Sequence, residues 1–145
     1  MNDLLVRSVV NFANPEGFGY FQDRRHVAGF ESHRFSEVPG PAQNWKVERL
    51  ELVSLLLHDV PAVYVSDKLP AMNGARKQPT RHLDPFETLG LYALRAGREL
   101  YVEQAPTEIR MLGAIRASEQ CLACHEAHEA DLLGAFSYSL SPGGP

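Results

Sequence analysis

Residues 121–140 read Cys-Leu-Ala-Cys-His-Glu-Ala-His-Glu-Ala-Asp-Leu-Leu-Gly-Ala-Phe-Ser-Tyr-Ser-Leu. Two signals meet here. Cys121 to His125 is Cys-x-x-Cys-His, and it uses the only 2 cysteines of the chain. Leu132 to Leu140 has the aromatic and small-residue content of a buried strand. A cysteine motif placed just before a final strand argues for a mixed sheet rather than a small helical bundle.

Cys-x-x-Cys-His is the attachment signature of a c-type haem. Each thiol adds across a haem vinyl group to form a thioether, and the adjoining histidine reaches the iron. Cys121 and Cys124 are therefore the expected attachment residues, His125 the expected proximal ligand, and one covalent haem c the expected cofactor. Two other chemistries use the same residues. Cysteines three apart form redox disulfides or half of a zinc site. On a helix Cys121, Cys124 and His128 share one face. A structural zinc-binding domain, with its fourth ligand from elsewhere, is the corresponding alternative.

Working outward from the motif, Glu99–Gln104 and Glu108–Ala117 read as strands joined around Ala105-Pro106-Thr107. Before them Asp84-Pro85 opens a helix, with Asp84 as N-cap, Pro85 in the first turn and Glu87 at the third position. Gly97 closes it. Trp45 to Leu57 and Ala62 to Ser66 read as a hairpin around His58-Asp59-Val60-Pro61. Residues 67–84 read as a loop. Residues 1–12 form a short helix that stops near Asn14-Pro15. The order strand, strand, helix, strand, strand, motif, strand predicts an α+β fold with about five mainly antiparallel strands. The chain reads as a single domain: 1–41 an aromatic-rich N-terminal extension, 42–140 the core, 141–145 a tail.

A chain of 145 residues suits one domain, and its 44% hydrophobic and 22% charged content is that of a globular protein. The net charge of −4 argues against nucleic acid, which needs a basic surface. No apolar run reaches the roughly 20 residues of a membrane helix. Met1–Arg7 lacks the basic start and long apolar core of a secretory signal. Covalent haem attachment takes place outside the cytoplasm. The expected location is therefore periplasmic or otherwise extracytoplasmic, with a signal or membrane anchor belonging to a longer precursor.

The stretch Glu119 to His125, followed by Asp131-Leu132-Leu133-Gly134-Ala135-Phe136-Ser137, resembles the C-terminal half of bacterial haem-c-binding PAS-like domains. Those domains place Cys-x-x-Cys-His before an Asp-x-x-Gly-Ala strand. Asn11-Phe12-Ala13-Asn14-Pro15 is similar to an Asn-Pro-rich motif early in some members. The likeness covers residues 99–140 and fades before residue 84. It implies a PAS-like fold, a periplasmic location, and a role in electron transfer or in redox or gas sensing.

The distal ligand decides between those roles. Bis-His ligation lowers the potential, methionine raises it, and an open position admits gases. His33, between Phe30 and Phe35, is the first candidate. Met111, on the strand leading into the motif, is the second. An open or water-bound position is the third. His26, His58, Met72 and His82 read as surface or loop residues, and His128 sits too close to His125 to reach the opposite haem face. Arg110 and Arg116 are candidates for haem propionates, against the plainer reading of a solvated strand face. Trp45, Phe136 and Tyr138 are core or haem-wall aromatics.

No catalytic constellation is present. The leading expectation is a monohaem c-type cytochrome domain in periplasmic electron transfer, and not an enzyme. The competing one is a haem-based redox or gas sensor module. Its partners would be redox proteins or an attached signalling domain, and a homodimer is compatible with either.

Overall fold

The computed structural model describes residues 1–13, 32–33, 44–55, 60–64, 79–116 and 131–143. Helix α1 spans Asn2–Ala13 and helix α2 spans Pro85–Arg95. The strands are β1 (Ser32–His33), β2 (Trp45–Ser54), β3 (Ala62–Tyr64), β4 (Thr80–Arg81), β5 (Leu100–Ala105), β6 (Glu108–Arg116) and β7 (Leu132–Pro142). The sheet order is β4-β3-β2-β7-β6-β5, with β1 pairing with β2 off this path. Every pairing is antiparallel. The α+β class follows, as the strand pattern implied, but the sheet has seven strands rather than five. The two extra ones, β1 and β4, are two residues long and carry no readable alternation.

β7, the last strand of the chain, lies in the middle of the sheet between β2 and β6. That burial on both edges and both faces explains its content: Leu133 to Tyr138 are all buried. β2 is interrupted by a register shift between Val47 and Arg49. The extra residue turns the strand over. Trp45, Val47 and Leu50 therefore share one face, and Glu51 and Val53 the other. A single alternation read through Glu48 assigns half of β2 to the wrong face.

The sheet buries a core on each side. On one face α1 lays Leu4 and Leu5 over Trp45, Val47, Leu50, Ile109, Met111, Phe136, Tyr138 and Leu140. On the other, Phe86, Leu91 and Leu94 of α2 cover Val53, Val63, Leu112, Ala114 and Ala135. Leu4 and Leu5 belong to the segment expected to be an extension, so the core begins at α1. Ser141 and Pro142, expected in the tail, continue β7.

Both helices need a side-chain-free floor. A Cβ on Gly113 would collide with the Leu5 side chain, and one on Gly90 would lie 2.8 Å from Leu112 Cδ2. α2 begins with a complete capping box: the Glu87 N–H donates to Asp84 Oδ1 at 2.8 Å and the Asp84 N–H to Glu87 Oε1 at 3.0 Å. Its end is a Schellman turn. Gly97 N–H donates to Leu94 O and Arg98 N–H to Ala93 O, both at 3.1 Å. Gly97, at φ 106°, sits one residue beyond the C-cap, which is Ala96. That left-handed position is the reason for glycine there.

Candidate functional site

Cys121, Cys124, His125 and His128 lie outside the described residues. What the structure defines is the frame that holds them. The motif falls in the connection from β6 to β7, whose two ends, Arg116 and Leu132, are cross-strand partners. A register shift between Ile115 and Arg116 marks the exit from the ladder. Ser54, Ala62 and Gly134 lie at the same end of the sheet, since Ser54 pairs with both Ala62 and Gly134. The motif connection and the β2–β3 connection therefore leave the sheet side by side, next to the C-terminal turn of α2.

Arg116 fixes the near anchor. Its Nε donates to Glu99 Oε1 at 2.8 Å, and its Nη2 to Leu94 O at 2.8 Å and to Arg98 O at 3.2 Å. A guanidinium against the last carbonyls of a helix satisfies orphan acceptors and complements the negative end of its dipole. The residue at the entrance to the motif is thus tied to α2.

The two distal candidates lie elsewhere. His33 in β1 is in register with Trp45, which in turn pairs with Pro142. Trp45 and Ser54 are the two ends of the 10-residue strand β2, a span of roughly 30 Å. His33 is therefore at the opposite end of the sheet from the motif's anchors. Met111 is fully buried, paired with Tyr138 and Val102, and packed within the α1-side core. Trp45, Phe136 and Tyr138 pack into that same core, with Phe136 and Tyr138 edge to face at 6.1 Å between centroids. Burial pushes the Tyr138 phenol well above its usual range, with the neighbouring Ser8 hydroxyl opposing the shift. His82 is exposed, while His26, His58 and Met72 lie outside the described residues.

Arg110 does not stand on a solvated face. Its Nη1 donates to Asp84 Oδ2 at 2.9 Å and its Nη2 to Ser137 Oγ at 3.3 Å, with the guanidinium 4.5 Å from the Phe86 ring centroid. It belongs to a charged network that the sequence did not reveal. Glu87 is fully buried and is held by both prongs of Arg81, at 2.7 and 3.0 Å. Arg81 Nη2 also donates to Glu51 Oε1 at 3.0 Å, and Arg49 Nε approaches that same oxygen at 3.1 Å. Three arginines face three carboxylates across β2, β4, α2, β6 and β7.

The charges in this network are held firmly. Bonding to Glu87 raises the Arg81 pKa further above its ordinary value against the cost of burial. For Asp84, burial pushes the carboxyl up, but the Glu87 N–H and the Arg110 guanidinium together bring it below the usual range. Such a balanced cluster is a structural clamp that seats the start of α2 on the sheet. The sequence offered Glu87 only as a cap. Its partners across the sheet are not in its neighbourhood, and no local pattern names them.

Comparison with family models, with characterised proteins and with solved structures finds no match to this chain. Among the described residues, no helix is long and apolar enough to cross a membrane. Among them too, no group of three His, Cys, Asp or Glu is arranged to hold a metal ion.

Proposed function

We propose that this chain is a monohaem c-type cytochrome domain of PAS-like fold that passes single electrons between periplasmic partners. The observation that carries the reading is the Cys121-x-x-Cys124-His125 motif in the connection between two strands of an antiparallel sheet. The donor set fits the group: two thiols for two vinyl groups and one imidazole for iron. The antiparallel sheet with a helix on each face, and the motif leading into the Asp131-Leu132-Leu133-Gly134-Ala135 strand, support the likeness to haem-c-binding PAS-like domains.

Cys121 and Cys124 would hold the porphyrin covalently and His125 would ligate its iron. The bound haem supplies a one-electron couple. The chain supplies ligation, a low-dielectric surround and a docking surface. Arg116, tied to α2, holds the entrance to the motif in place.

The placement of His33 and Met111 favours a second reading. His33 reaches a haem at the motif end only if the connection folds back along the sheet, and Met111 only if the α1-side core opens. An iron without a sixth ligand from the protein would take an exogenous one, and the domain would then act as a redox or gas sensor.

A pyridine haemochrome spectrum tests the cofactor, and its absence after expression with haem-maturation machinery would reject both haem readings in favour of zinc or a thiol pair. A redox titration with and without CO separates the other two. Six-coordinate low-spin spectra in both states, insensitive to CO, support electron transfer. CO binding or a change of axial ligand supports the sensor. His125→Ala is expected to abolish low-spin haem. His33→Ala and Met111→Leu each leave the spectrum unchanged unless the residue substituted is the distal ligand.

A further inference from the structure

We draw no further inference here: the strongest candidate, the end of the sheet where the β2–β3 connection that carries His58 leaves beside the connection that carries Cys121 to His125, rests on side chains outside the described residues, and nothing in the structure shows which of them meet.

Discussion

Arg81 grips both oxygens of Glu87, at 2.7 and 3.0 Å, and so joins the short strand β4 to the first turn of α2. The carboxylate is fully buried, whereas the guanidinium keeps some contact with water. Glu87 also accepts the Asp84 N–H at 3.0 Å. One side chain therefore closes the helix cap and neutralises a cation from across the sheet.

Glu87→Ala should be among the most damaging substitutions in the chain. It opens the capping box and leaves Arg81 with Glu51 and the His82 carbonyl. Breaking one side of a buried pair costs about 3–5 kcal/mol. Urea denaturation should show a lower midpoint with little change in slope. The double variant Glu87→Leu/Arg81→Met should recover much of the loss, because no unpaired charge is left behind. A double variant as unstable as the sum of its parts would show that the pair is not coupled.

Acid should weaken the same cluster through Asp84. Its folded pKa lies below the ordinary value, so its ionised form stabilises the fold above about pH 4. That contribution fades as pH falls through the folded pKa. Asp84→Asn keeps an N-cap side chain but removes the negative charge that faces Arg110. The stability gap between wild type and Asp84→Asn should therefore be widest near neutrality and should close below about pH 4. A gap independent of pH would mean that the cap alone matters.

Much of this frame was legible because it is local. Asp84, Pro85 and Glu87 announce the start of α2 within four residues, and Gly97 its end. The long strands β5, β6 and β7 were readable within two residues from their apolar and aromatic content and the turn at Ala105-Pro106-Thr107. What was not legible depends on pairing across the sheet. Two-residue strands such as β1 and β4 have no period. The bulge at Glu48 is invisible without its partner strand. Glu51, Arg81 and Arg110 meet Glu87 and Asp84 only once β2, β4 and β6 are aligned. The reading of Arg110 as a solvated residue failed for that reason. The placement of His33 opposite Trp45 was likewise beyond reach, because it depends on a two-residue strand.

Gly113 should tolerate alanine poorly, and the reason can be isolated. Its Cβ would collide with Leu5 of α1. Overpacking of this kind costs about 1–3 kcal/mol, and Leu5→Ala alone about 2–5 kcal/mol. In Gly113→Ala/Leu5→Ala the new methyl enters the space that Leu5 vacates. The combined loss should fall short of the sum, with a coupling of about 1 kcal/mol. Strict additivity would mean that α1 shifts away rather than holding its place on β6.

Arg116 offers a way to separate the frame from the motif. Its guanidinium binds Glu99 Oε1 and two backbone carbonyls at the end of α2, and in sequence it precedes Cys121 by five positions. Arg116→Ala removes these charge-assisted bonds and should cost about 1.5–3 kcal/mol. Hydrogen exchange should quicken first in the last turn of α2, where Leu94 O loses a donor but keeps Gly97 N–H at 3.1 Å. On the haem reading proposed above, haem content should stay unchanged in this variant, since attachment would depend on Cys121, Cys124 and His125 alone. Lysine at this position restores the charge without the fork, so it should recover only part of the protection. An Arg116→Ala protein with unaltered exchange in α2 would show that the helix end is held by its Schellman turn, and that the motif is not anchored through it.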